Sequence, residues 1–238
     1  MFIRIMGNNL VRVKQNFYSK YVKRSLDVFL SGLALLILSP LFVAIVVLEL
    51  LIHGRPVFYS TKRPGKDDVL FNMLKFRSMT NKRGDDGYLL PEDQRLTSFG
   101  KFIRRTSIDE LPELINIFRG DMSIVGPRPL LVEYLDLYTP RHRMRNAVRP
   151  GLACFRIIPT DSKTWTWREQ FDNDIWYVEH VSFKTDALMI WAIFKEVLKA
   201  SDVRADDTRV PFDGTNLDET RSKNEIDSVV KFDSLSKL

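Results

Sequence analysis

Apolar positions along the chain form one long block followed by short patterned segments. Val28 to Leu48 is 21 residues without a charge, and the apolar run continues past Glu49 to Ile52. A run of 18 or more such residues predicts a membrane helix. A buried core helix is the bland alternative, but few core helices are apolar on every face. A signal peptide fits poorly, because the run starts late, is long and lacks a small-residue cleavage site. Within the run stands Ser39-Pro40. Proline removes a backbone donor and clashes with the preceding turn, so a kink is predicted there. The two legs, Val28–Ser39 and Pro40–Ile52, have lengths of about 18 Å and about 20 Å at the helical rise. Straight, they cross a bilayer; sharply bent, they enter and leave on one side.

The rest of the pattern is that of a folded domain from about His53 to Ala200. Pro56–Tyr59 reads as a short strand, Lys62–Lys66 as a turn, and Val69–Phe76 as a second strand. Thr80–Glu92 is polar and Gly-containing, a loop. Leu96–Ile103 predicts a short helix. Leu111, Leu114, Ile115 and Phe118 have helical spacing ended by Gly120. Leu130–Tyr138 and Phe183–Leu198 carry broad apolar faces, the second with Phe183, Leu188, Ile190, Trp191, Phe194 and Leu198. Core packing and interfacial membrane contact explain these faces equally well.

Charge sharpens the picture. The chain of 238 residues carries a net +6, which suits an acidic partner: nucleic acid, an anionic membrane or a phosphorylated substrate. Six basic residues and no acidic one precede Asp27, whereas the stretch from Ser201 onward has nine acidic and six basic residues and reads as a solvated, flexible extension. Lys20, Lys23 and Arg24 flank the apolar run on one side; Arg55, Lys62, Arg63 and Lys66 flank it on the other. The positive-inside rule keeps both flanks cytoplasmic, which a re-entrant hairpin satisfies and a spanning helix does not. Kinked spanning helices are common, so this pattern leaves both topologies open. A single cysteine, Cys154, excludes a disulfide framework. His53, His142 and His180 lack metal-ligand spacing.

Three short blocks carry candidate chemistry. Ser107-Ile108-Asp109-Glu110-Leu111-Pro112 lies at a predicted helix start, where Ser107 and Glu110 match a capping box. Alternatively, the adjacent carboxylates beside Arg104 and Arg105 offer one nucleophile or base and one metal ligand for phosphate chemistry. Gly126-Pro127-Arg128-Pro129 holds an arginine between two prolines, which restrict the turn that presents it. Lys75-Phe76-Arg77-Ser78-Met79 interleaves cations with apolar residues, either to line an anion pocket or to keep an edge strand soluble.

Taken together, these blocks resemble the bacterial sugar transferases, the monotopic phosphoglycosyl transferases that start glycan assembly on a polyprenyl phosphate. The resemblance covers roughly Tyr21 to Lys199. It rests on the basic flank and Ser39-Pro40, on Lys75–Met79, on Arg104–Glu113, on Gly120–Leu130, and on Asp172–Asp186 with Trp176-Tyr177-Val178 and Ser182-Phe183. It is to the small members of the family, without a preceding four-helix membrane domain.

The resemblance implies a UDP-sugar donor, a polyprenyl phosphate acceptor, Mg²⁺ and an anionic phospholipid membrane. No nucleic acid is expected, and a homodimer is left open. It makes Asp109 the nucleophile on the sugar-linked phosphate and puts Glu110, together with Asp109, at the metal. Arg104 matches the family's phosphate-binding arginine, Arg128 lies in the donor-binding turn, and Lys75 and Arg77 join the donor side. It also favours the re-entrant topology.

The expected fold is α+β and helix-rich. A basic segment at 1–20 precedes a re-entrant membrane helix over 21–52. A cytoplasmic or interfacial catalytic domain with amphipathic helices occupies 53–200, and a polar tail 201–238. The expected location is the bacterial inner membrane, with the active site on the cytoplasmic face. One departure concerns specificity: after Arg149-Pro150-Gly151 the family commonly continues with a Trp-Ala-Gln-Val-like segment, but this chain reads Leu152-Ala153-Cys154-Phe155, and the loop Pro159–Trp167 is also unusual. A non-catalytic membrane-anchored scaffold is the alternative, and it leaves the Asp109–Glu110 and Arg128 blocks unexplained.

Overall fold

A computed structural model describes residues 16–154, 166–192 and 210–218 in full, and the backbone of 2–6, 9–13 and 193–198. The chain divides into two compact units. The first comprises Arg24–Arg63 and Leu70–Ile124; the second comprises Met1–Lys23, Pro64–Val69 and Val125–Leu238. The architecture is α+β and rich in helix, with short two-stranded sheets.

In the first unit the apolar block forms two helices, α1 (Lys23–Ile37) and α2 (Ser39–Ile52). The stretch Tyr18–Ile37 meets α2 at a bend of 63°. Among the described residues no single helix is long and apolar enough to cross a membrane, but this bent pair passes that test of length and composition together. The bend has a local cause. Pro40 has no N–H to give the Leu36 carbonyl, and the Ser39 hydroxyl donates to that carbonyl instead, at 2.7 Å. Burial along the pair is inverted. Phe29, Leu36, Ile37, Val43 and Leu51 are 64–77% exposed, whereas Asp27, Ser31 and Glu49 are buried.

The buried polar groups tie the pair to its unit. Asp27 accepts from the Ser123 hydroxyl and the Ile124 N–H, both at 3.0 Å. Arg24 donates to the Ile117 and Phe118 carbonyls at 2.6 and 2.8 Å. Glu49 Oε2 lies 2.8 Å from His53 Nδ1, and His53 Nε2 lies 2.9 Å from Thr97 Oγ1. The apolar contact is narrow: Ile45 packs with Phe76 and Ile103, bordered by Phe42, Val57, Phe99 and Leu111.

Strands β3 (Phe58–Pro64) and β4 (Leu70–Phe76) pair as a hairpin. The first runs through the predicted Lys62–Lys66 turn; the chain reverses later, at Gly65–Asp68, where Asp67 and Asp68 adopt positive φ. Helices α3 (Glu92–Arg95), α4 (Ser98–Arg105) and α5 (Glu113–Arg119) follow. Thr97 caps α4 by accepting from the Gly100 N–H, and Gly120 ends α5 with φ 104°.

In the second unit β1 (Phe2–Met6) pairs antiparallel with β2 (Asn9–Val13). β5 (Ser123–Val125), which runs across the unit boundary, pairs with β6 (Gly151–Ala153). Helices α6 (Pro140–Arg143), α7 (Trp167–Glu179) and α8 (Phe183–Leu198) complete it. A capping box starts α7, with Thr166 and Glu169 satisfying each other's backbone. Tyr134, Tyr138, Trp167, Phe171 and Phe212 form an aromatic core.

Phe212 belongs to the stretch expected to be a solvated extension. Residues 210–218 instead return to the core, where Trp167 Nε1 donates to the Val210 carbonyl at 3.0 Å. Phe212 and Leu217 anchor the segment on the aromatic cluster, and Asp218 pairs with Arg168; the remainder of the tail lies outside the described residues. On α8, Phe183, Leu188, Ile190 and Trp191 are exposed, so core packing does not account for that face. Phe194 and Leu198 lie outside the described side chains.

Candidate functional site

The chemistry-bearing residues of the first unit gather where β4, α4 and α5 meet. Their register is set by Asn116, a buried residue of α5. Its side-chain oxygen accepts from the Leu74 N–H at 3.0 Å, and its amide donates to the Asn72 carbonyl at 2.8 Å and to Asp121 at 3.0 Å. The amide thus substitutes for a neighbouring strand along β4. Lys75, next in the strand, reaches two carboxylates: Glu110 at 2.7 Å and Glu113 at 3.4 Å. All three side chains are at least four-fifths buried, so these pairs are less screened than surface ones.

The turn that carries the carboxylates departs from the expected capping box. Ser107 adopts a left-handed conformation (φ 57°, ψ 16°) and makes no side-chain capping bond. A single 3₁₀ turn, Ile108–Glu110, follows, and α5 starts only at Glu113 behind Pro112. The left-handed residue breaks the chain's course after α4, so Asp109 is buried while Glu110 is oriented to Lys75. A non-glycine residue held in this region costs about 1–2 kcal/mol, a strain commonly found at functional sites.

Arg104, at the end of α4, donates through Nε to Ser78 Oγ and through Nη1 to Glu92, each at 2.8 Å. Gly100 permits this: a Cβ there would collide with the Ser78 carbonyl, so only glycine lets α4 sit this close. Arg77 does not join the cluster. Strand β4 ends at Phe76, alternation stops there, and the guanidinium donates to the Met79, His53 and Arg55 carbonyls at 2.7, 3.3 and 3.4 Å. It clasps the loops that carry those carbonyls. Arg128 lies in the second unit, half-buried between buried Pro127 and Pro129.

The bacterial sugar transferase family model matches residues 18–200, most of the chain. The chain belongs to the bacterial sugar transferase family. It is 42% identical over 151 residues to the protein named "Uncharacterized sugar transferase EpsL" of Bacillus subtilis (strain 168), a match covering 63% of this chain and 74% of that one. It is 36% identical to the exopolysaccharide production protein ExoY of Rhizobium meliloti (strain 1021), covering 74% and 80%. It is 31% identical to the undecaprenyl-phosphate galactose phosphotransferase of Salmonella typhimurium, covering 84% of this chain and 44% of that protein.

In this bacterial sugar transferase, no group of three or more metal-ligating side chains is arranged to hold a metal among the described residues. Magnesium is usually held by one or two carboxylates completed by water and substrate phosphates, so Asp109 and Glu110 fit it by donor chemistry. Such a cation would share Glu110 with Lys75. Glu113 went unrecognised as a site residue in the sequence, although it stands three residues after Glu110 beside a lysine-bearing strand. Ser78 and Glu92 were also missed, because both depend on where α4 packs. Of the atypical segment after Gly151, Leu152–Cys154 are described and 155–165 are not. Burial pushes the Cys154 thiol up, and it points to Asp174 at 3.5 Å, an inert arrangement rather than a reactive one.

Proposed function

We propose that this sugar transferase transfers a sugar 1-phosphate from a UDP-sugar to polyprenyl phosphate, giving polyprenyl-diphosphate-sugar and UMP, at the cytoplasmic face of a bacterial inner membrane. The observation that carries this reading is the coexistence, in one unit, of the Asp109–Glu110–Lys75 cluster with an inverted helix pair. Apolar side chains face outward and carboxylates inward along α1 and α2. That distribution suits hydrocarbon as solvent, where polar groups must find partners inside the protein. The bend suits a re-entrant pair, with basic residues flanking both ends. Exposed Phe183 and Trp191 on α8 suit the interface. The relative named as an undecaprenyl-phosphate galactose phosphotransferase supports the acceptor class.

In the proposed mechanism an Asp109 carboxylate oxygen attacks the sugar-linked phosphorus of the donor. The bond from that phosphorus to the bridging oxygen breaks, and UMP leaves with the bond's electrons. An oxygen of polyprenyl phosphate then attacks the same phosphorus and expels the Asp109 carboxylate. Two anionic substrates therefore never meet directly. Lys75 orients Glu110, Arg104 neutralises phosphate oxygens, and Arg128 is read as a donor-binding residue. Mg²⁺, when bound by the carboxylates and the diphosphate, supplies further charge neutralisation.

Donor alone should release one equivalent of UMP and leave a sugar-phosphate adduct on Asp109, read by intact-protein mass spectrometry. Asp109→Asn should abolish both, and Glu110→Gln should cut turnover severely. Robust turnover without an adduct, together with an active Asp109→Asn variant, overturns the covalent route. No UMP release from any UDP-sugar supplied with polyprenyl phosphate overturns the activity itself.

A further inference from the structure

Arg145 is among the largest fully buried side chains of the described residues, and it stands away from the carboxylate cluster, in the second unit. It belongs to the 3₁₀ turn Met144–Ala147. All three nitrogens of its fork are engaged. Nε and Nη2 donate to Asp174 Oδ2 at 2.9 and 2.7 Å, Nη1 to the Tyr138 hydroxyl at 3.2 Å, and Nη2 also to the Arg128 carbonyl at 2.6 Å. Stability alone is a poor reason for such a pair, since well-packed apolar replacements of buried ion pairs often match or exceed it. A hydrocarbon cannot donate to the Arg128 carbonyl.

That carbonyl belongs to a turn that backbone contacts hold on both sides. The Gly126 N–H donates to the Ala153 carbonyl at 3.1 Å, and the Gly151 N–H donates to the Pro127 carbonyl at 3.0 Å. A Cβ on Gly126 would lie 2.6 Å from the Arg149 carbonyl oxygen, so the two segments touch through backbone. Pro127 has its φ locked by its ring, and Pro129 biases Arg128 to extended conformations. The Arg145 bond to the Arg128 carbonyl holds the peptide plane that follows Arg128.

We propose that Arg145, held by Asp174, is a positioning residue that aims the Arg128 guanidinium at the donor diphosphate. This rests on the reading of Arg128 as a donor-binding residue. The fork is required, because a lysine ammonium can pair with Asp174 or reach the carbonyl but lacks the geometry for both.

The test is a double-mutant cycle on the full chain in nanodiscs, with UDP and Mg²⁺ as the donor-side probe and affinity as the readout. Loss of a charge-assisted contact predicts UDP binding about tenfold weaker for Arg128→Ala and about five- to tenfold weaker for Arg145→Lys. Because Arg145 acts through Arg128, Arg145→Lys should add less than about twofold in the Arg128→Ala background. The swap Arg145→Met with Asp174→Leu should stay folded while weakening UDP to the same degree. Unchanged UDP affinity in the Arg145 variants, or losses that multiply in the double variant, overturns the proposal. So does unfolding of both the lysine and the apolar variants, which would make the pair a stability element. If Arg128→Ala itself binds UDP normally, the donor role of Arg128 fails, a result distinguishable from failure of Arg145 alone.

Discussion

The side-chain amide of Asn116 occupies the hydrogen-bonding edge of β4 beside Leu74, accepting its N–H at 3.0 Å. One residue later, Lys75 meets Glu110 and Glu113. The register of the carboxylate cluster therefore depends on a residue that touches none of its charges among the hydrogen bonds described. Asn116→Ala should leave the Leu74 N–H and the Asn72 carbonyl without this partner and cost about 2–3 kcal/mol of stability. Activity should fall further than the loss of folded protein explains, because Lys75 loses its register. Urea unfolding monitored alongside UMP release checks both, and a fully active, destabilised variant would refute the link.

Ser107 holds φ 57° immediately before the carboxylates. Ser107→Gly removes the steric cost of that conformation and should change stability by no more than about 1 kcal/mol, since relief is offset by the entropy glycine loses on folding. Ser107→Val cannot adopt the conformation comfortably, and should lose about 1–2 kcal/mol together with most activity as the Asp109 turn shifts. Equal activity in the glycine and valine variants would show that the turn does not depend on this backbone conformation.

His142 stacks on Phe171 with ring centroids 4.3 Å apart inside the aromatic core, and its Nδ1 has no hydrogen-bond partner among the described residues. Burial lowers its pKa; Asp172 opposes the shift, while Arg141, Arg168 and Arg145 add to it. The unfolded chain thus takes up a proton near the ordinary value of about 6.5 that the folded chain resists. The stability this imidazole contributes is present above that value and is lost as pH falls through the lowered folded value. His142→Phe keeps the stack and should flatten the decline between neutral and mildly acidic pH. Denaturation midpoints for both proteins across that window provide the check, and parallel pH curves would exclude His142 as the group responsible.

The Ser39 hydroxyl serves the Leu36 carbonyl that Pro40 cannot. Pro40→Leu restores the N–H and removes the steric reason for the bend. In a background lacking Cys154, cysteines at exposed positions Lys20 and Lys62 should both label from the cytoplasmic side in the parent chain. With Pro40→Leu a fraction should label from opposite sides, because two straightened legs are long enough to span. Opposite labelling in the parent chain would rule out the re-entrant topology.

Several of these features were legible in the residue order, because their causes are local. An uncharged run interrupted by Ser39-Pro40 dictates apolar helices with a break, whatever surrounds them. The helical spacing ending at Gly120, and the stiff Pro127-Arg128-Pro129 turn, are equally local. The Asp109–Glu110 pair stands out as adjacent carboxylates beside arginines, a pattern that by itself leaves a helix cap and a phosphate site both open. What the residue order left undecided depends on partners distant in sequence. Lys75 and Arg77 look equivalent two positions apart, yet the strand ends between them and sends one to carboxylates and the other to carbonyls. Asn116, Glu113 and Gly100 acquire their roles only when α4 and α5 lie against β4. Phe212 is buried because an aromatic cluster exists to receive it, although its own neighbourhood is polar. Helix breaks and turns follow from backbone sterics within a few residues. Burial, ion pairing and the direction of a side chain follow from surfaces that only the tertiary fold brings together.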